Sequence, residues 1–142
     1  MPEMAMNHPL RGLDLNFIPD HQNLSDILMD NDLAALGDAF INFAYSLASS
    51  FREGKPVGRK LSNMKLASAL RRSGLRRILP SRVDRHQQAN AAEALIAYAW
   101  LIGITSLREI IQIMNETENV EEALEALLRR IWRKYESSLL KT

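Results

Sequence analysis

The chain has 142 residues, 46% of them apolar and 25% charged, with 18 Lys and Arg against 17 Asp and Glu for a formal net charge of +1. That is a globular composition and one domain's worth of chain, and the lack of any cysteine excludes thiol nucleophiles, zinc fingers, iron–sulfur clusters and disulfide frameworks. The longest apolar stretch, Ala94 to Ile104, falls short of the ~20 residues a membrane-crossing helix needs, and no secretion signal opens the chain, so a soluble, cytoplasmic protein is expected.

In chain order, residues 1–22 carry Pro2, Pro9 and Pro19 without periodicity, which predicts an irregular N-terminal arm before a helical domain over residues 23–142. A cap at Asn23 or Ser25 starts a short helix through Leu24, Ile27 and Leu28. A long helix follows from Asp32 to Arg52, in which Leu33, Leu36, Phe40, Phe43, Ala44 and Leu47 recur at three- and four-residue spacing as one apolar stripe. Residues 53–58 contain two glycines and a proline and read as a loop. A third helix from Leu61 to Ser73 stops at Gly74, and a brief turn from Leu75 to Leu79 stops at Pro80. Val83 to Ile102 is a long central helix, rich in alanine and apolar nearly all round from Ala89, hence buried. Gly103 ends it, Thr105 caps a helix from Ser106 to Met114, and Val120 to Leu140 forms a last amphipathic helix. No strand pattern competes, so the fold class is all-α in a single domain.

The near-zero charge is a cancellation. Residues 1–51 carry net −6, residues 52–86 net +9 and residues 87–142 net −2. A block of +9 inside a folded domain suits a polyanion such as nucleic acid, although the same residues can form merely solvated helix faces. Two anomalies accompany it. Gly37 sits inside the second helix, where it costs about 1 kcal/mol relative to alanine, and an interior glycine of this kind marks a closely packed backbone. The small-residue surface Ala89, Ala91, Ala92 and Ala94 of the central helix is the best partner, and a crossing there brings Asp38 to Glu93, the one carboxylate in an otherwise interior helix. Two carboxylates driven together repel unless they share a proton or a cation, and a hard divalent ion accepts such oxygen ligands. Asn42, four residues after Asp38, and Asn90, three before Glu93, add an amide to each helix face. The alternative is that both carboxylates pair with arginines of residues 52–86 or hydrogen-bond to Ser and Asn neighbours.

The segment Leu33-Ala34-Ala35-Leu36-Gly37-Asp38-Ala39-Phe40 resembles the signature segment of the ribonuclease III catalytic domain. Asn90-Ala91-Ala92-Glu93-Ala94-Leu95-Ile96-Ala97-Tyr98 resembles its second catalytic element, and the intervening order and spacing fit. The run from Trp100 to Ile111 is similar to the Mini-ribonuclease III branch, which lacks a double-stranded-RNA-binding domain. The resemblance spans about residues 24–114. It implies Asp38 and Glu93 as catalytic, metal-binding residues. At three further family carboxylate positions this chain has Asn31, Ala34 and Asn90, so Asn90 and Asn42 are candidates to supply neutral oxygens to the metal.

The resemblance further implies a magnesium- or manganese-assisted hydrolysis of RNA phosphodiesters in a duplex, carried out by a homodimer. Arg52, Lys55, Arg59, Lys60, Lys65, Arg71, Arg72, Arg76 and Arg77 are the candidate phosphate contacts, and a basic patch without aromatic platforms suits duplex RNA better than single strands. Phe40, Phe43, Tyr45 and Phe51 belong to the core or to an interface, the core being the commoner fate. His86, one turn before Asn90, reads as a surface histidine. Two other functions fit the same sequence: a catalytically weak or inactive RNA-binding relative, and an all-helical dimerisation module built on the Trp132-bearing last helix.

Overall fold

A computed structural model describes residues 7–140, and within them the chain is six α-helices with no strand. Helix α1 spans Leu24–Leu28, where the Asn23 side chain accepts from Asp26 N at 2.9 Å. Helix α2, Asn31–Glu53, starts at Asp30, whose carboxylate accepts from Leu33 N at 2.9 Å, and ends at Gly54 in the left-handed conformation. Helix α3, Asn63–Ser73, begins two residues later than the pattern predicts because Ser62 takes the cap position, accepting from Lys65 N. A 3₁₀ turn over Leu75–Ile78 leads to α4, Arg85–Leu101, which opens on a reciprocal capping box between Asp84 and Gln87. Helix α5, Leu107–Met114, is capped by Ser106 and not by Thr105, whose hydroxyl donates instead to Glu109 Oε1 at 3.0 Å. Helix α6 runs Val120–Leu140.

The expected central helix is central: α4 is buried around its circumference and packs against α1, α2, α3 and α6. Its partners contribute Ile41, Leu66, Leu70, Leu124, Leu127 and Leu128 to the core, all essentially inaccessible. Residues 7–22 are turns laid on this core, with Leu15 and Ile18 buried. His8 ties that segment down, accepting from Leu10 N at Nδ1 (3.0 Å) and donating from Nε2 to Trp100 O (3.1 Å). Residues 1–6 of the predicted arm lie outside the described residues.

One expectation about α2 is corrected. The residues that face the core are Leu33, Ala34, Gly37, Ile41, Ala44 and Ala48, whereas Leu36 and Phe43 of the predicted stripe are 43% and 56% exposed. The helix is apolar on two sides, and periodicity alone cannot say which side the core takes. The core takes the side that carries Ala34, Gly37, Ala44 and Ala48, whose small residues let α4 approach closely.

Candidate active site

That approach is closest at Gly37. A Cβ built there would lie 2.0 Å from the Glu93 carbonyl oxygen and 2.5 Å from its carbonyl carbon, so the two backbones touch and only glycine fits. The contact fixes Asp38, the next residue of α2, beside the Glu93 side chain. Both line one open cavity of about 480 Å³ together with Asn31, Ala34, Ala35, Lys60, Leu61, Asn63, His86 and Asn90.

Glu93 is only 3% exposed, and its Oε2 has no hydrogen-bond partner. Burial first, then the adjoining Asp38 carboxylate, push its pKa up to about 8. Glu93 therefore holds its proton to higher pH than an ordinary glutamate does. Neither carboxylate pairs with an arginine among the described residues, so that part of the alternative reading is not realised. Asp38 does have an amide neighbour: Asn42 Nδ2 donates to Asp38 Oδ1 at 2.9 Å and to its carbonyl at 2.8 Å.

The same bonds give Asn42 a different position from the one expected of it. Its Oδ1 accepts from Leu61 N at 2.7 Å, and a backbone N–H can meet only the oxygen, which fixes the amide's orientation. Asn42 thus turns a donor toward Asp38, directs its amide oxygen to Leu61 N, and lies outside the cavity wall. Asn90 does line the cavity, as does Asn31, which stands at another family carboxylate position, and so does Asn63, which the sequence offered no reason to single out. His86 is exposed, as expected of a surface histidine, and stands on this same wall with its Nδ1 3.3 Å from Asn63 Nδ2.

No three Asp, Glu or His side chains among the described residues converge as a metal cluster. An orphaned buried carboxylate oxygen, a second carboxylate and neutral amides around an open cavity nevertheless fit a hard divalent ion that keeps most of its waters.

Of the nine basic residues expected at phosphates, six are occupied within the fold. Arg52 donates to Met114 O and Asn115 Oδ1, both at 2.9 Å, and to Thr117 O at 3.3 Å, which ends α5 against α2. Arg59 pairs with Glu53, Arg71 bonds Gln88, and Arg72 pairs with Glu121 and Glu125 of α6. Arg76 holds the carbonyls of Pro80 and Ser81, and Arg77 that of Gly74. Lys55, Lys60 and Lys65 have no partner among the described residues, and neither do Arg82 and Arg85, which the sequence reading passed over. Arg52→Ala is accordingly expected to lower stability by about 2 kcal/mol, because three carbonyl-type acceptors lose a charged donor. Chemical denaturation checks this, and the salt dependence of any RNA binding should stay unchanged.

The model of the ribonuclease III family matches residues 31–137, the span that carries Asp38, Glu93 and the whole cavity. The chain belongs to the ribonuclease III family. This accords with the all-helical single domain and with the resemblance seen in the two motifs, and it makes the chain a ribonuclease III-like nuclease at the level of the family. Comparison with curated proteins finds no match. No helix among the described residues is long and apolar enough to cross a membrane.

Proposed function

We propose that this ribonuclease III-like chain is a divalent-metal-dependent endoribonuclease that hydrolyses phosphodiester bonds of double-stranded or structured RNA. The observation that carries the reading is Glu93: a buried carboxylate with an unpartnered oxygen, set against Asp38 by a glycine contact that tolerates no side chain. A fold holds such a group without compensation where a cation or substrate completes it.

In this mechanism Asp38 and Glu93 would hold magnesium or manganese, with Asn90 as a neutral oxygen beside them. When bound, the ion supplies an activated water and neutralises charge on the phosphate. Glu93 gives up its proton on loading, which the open cavity releases to solvent. Asn42 keeps the Asp38 carboxylate pointed across the helix crossing by donating to Oδ1. The unpaired cations Lys55, Lys60, Lys65, Arg82 and Arg85 receive the RNA backbone, a set without stacking aromatics that suits a duplex.

The enzyme works as a homodimer. Leu36, Phe43 and Phe51 form an exposed apolar row on α2, continuous at its lower end with a groove lined by Leu47, Leu107 and Ile111. Such a row is more than an isolated exposed apolar residue and suits a second copy of the chain. Phe43→Glu is expected to convert the dimer to monomers in sedimentation velocity without loss of helicity, since Phe43 contributes little to the core.

Cleavage of long duplex RNA in the presence of magnesium, measured beside Asp38→Asn and Glu93→Gln, tests the activity. Both substitutions should reduce the rate at least a hundredfold; activity that survives them removes the assignment. Duplex binding without cleavage by the unaltered protein would select an inactive RNA-binding relative, and no binding at low salt a dimerisation module.

A further inference from the structure

Residues 55–62 join α2 to α3 without regular secondary structure, yet their backbone is pinned in a regular way. Ser50 Oγ accepts from Val57 N at 3.0 Å. Ser46 Oγ accepts from Arg59 N at 2.9 Å and donates to Arg59 O at 3.1 Å. Asn42 Oδ1 accepts from Leu61 N at 2.7 Å. Every fourth residue of α2 thus holds every second residue of the connecting segment, running in opposite directions. The match is geometric, because four residues of helix rise about 6 Å and two residues of extended chain about 6.6 Å. One more step along the helix reaches Asp38, and one more along the segment reaches Asn63, both on the cavity wall.

Lys60 lies between the last two rungs. The backbone on either side is fixed to the helix that carries Asp38, while its own side chain lines the cavity and has no partner among the described residues. It is the sole Lys or Arg in the cavity lining. A flexible loop would carry such a lysine at random; a strap in register delivers it to one place.

We propose that residues 57–61 are a substrate strap, registered on α2 by Asn42, Ser46 and Ser50, whose purpose is to set Lys60 against a backbone phosphate of RNA seated over Asp38 and Glu93. The inference rests on the RNA-cleaving reading and adds to it a named phosphate contact and the device that positions it. Among the unpaired cations, Lys60 alone stands inside the cavity, so its phosphate is the one nearest the carboxylates. Ser46 and Ser50 are positioning residues and touch no substrate.

The test is duplex RNA binding, with calcium in place of magnesium, measured as affinity against salt concentration for the full chain. Lys60→Met should weaken binding about tenfold and lower the slope of log affinity against log salt by about 0.9, the loss of one phosphate contact. Ser46→Ala, alone and with Ser50→Ala, should reproduce part of that loss. Ser46→Thr, which keeps the hydroxyl, should restore it, as a merely structural loss of packing would not. In the double-alanine background Lys60→Met should cost less than in the unaltered protein. If the double variant does not fold, Ser46→Ala alone carries the comparison, since it removes one rung of three. An unchanged slope in Lys60→Met while the unaltered protein binds duplex overturns the strap and leaves the nuclease reading standing. No duplex binding by the unaltered protein overturns both.

Discussion

Gly37→Ala is expected to be the most damaging single substitution in the chain. The added methyl group would meet the Glu93 carbonyl at 2.0 Å, and neither that backbone nor the helix around Gly37 has a rotamer with which to yield. α2 and α4 must separate, and the two helices pack on each other with Ile41 and Ala44 of α2 and Ala89 and Ala92 of α4 in the same core. Overpacking in a close-packed interior costs about 1–3 kcal/mol where side chains can adjust, and here backbone faces backbone, so a loss of about 3 kcal/mol or more is expected. Denaturant unfolding of Gly37→Ala beside Gly103→Ala provides the measurement. Gly103, unlike Gly37, has a positive φ of 84° and meets only the end of the His8 ring, so it reports the cost of backbone strain without the helix clash. Loss of stability confined to Gly103→Ala would contradict the contact. Because the same touch sets Asp38 beside Glu93, any folded fraction of Gly37→Ala should also bind magnesium more weakly.

Glu93→Gln is expected to act in opposite directions on stability and on activity. The folded pKa of Glu93, about 8, lies above its ordinary value of 4.5, because burial and Asp38 both disfavour the charged form. Such a group contributes stability that is fully present below the unfolded pKa and is lost as pH rises through the folded one. In the metal-free protein stability should therefore decline between about pH 4.5 and 8, and the neutral glutamine should abolish that decline. At pH 9 Glu93→Gln should be more stable than the unaltered chain by on the order of 3 kcal/mol, while cleavage is lost. Thermal melts across pH decide this, and a parallel decline in both proteins would mean that Glu93 is not the titrating group. If magnesium binds as proposed, it would favour the deprotonated form of Glu93, so the melting temperature it adds should grow from pH 6 to pH 9 and vanish in Glu93→Gln.

The combination describes an active site assembled from a constraint. A glycine and a row of alanines let two helices touch; the touch buries a glutamate whose Oε2 has no hydrogen-bond partner, and in the proposed function a cation would offset the cost of that burial. Few side chains are involved, and those that surround the pair orient it. Asn42 links the Asp38 carboxylate to the Leu61 backbone, so α2 and the segment that leads to α3 are tied together beside the cavity.

Much of this was legible in the sequence. Caps at Asn23 and Gly74 and the alanine-rich run from Ala89 predicted the helices because capping and periodicity are local. Gly37 predicted the α2–α4 crossing, and with it the meeting of Asp38 and Glu93, because an interior helical glycine has few physical uses other than close approach. The destiny of the charges was not legible. Arg52 finds its acceptors 62 to 65 residues away and Arg72 its glutamates on α6, and nothing in a run of basic residues marks which of them a distant carbonyl or carboxylate will claim. Nor could α2 declare its inner face when Leu33 and Ala44 on one side and Leu36 and Phe43 on the other are equally apolar. The sequence by itself determined the helices, the close contact and the two carboxylates, since each is encoded within a turn or two of chain. The tertiary structure alone decided which cations have no partner among the described residues, which apolar face remains uncovered and that Lys60 stands on the cavity wall, because each depends on groups that only folding brings together.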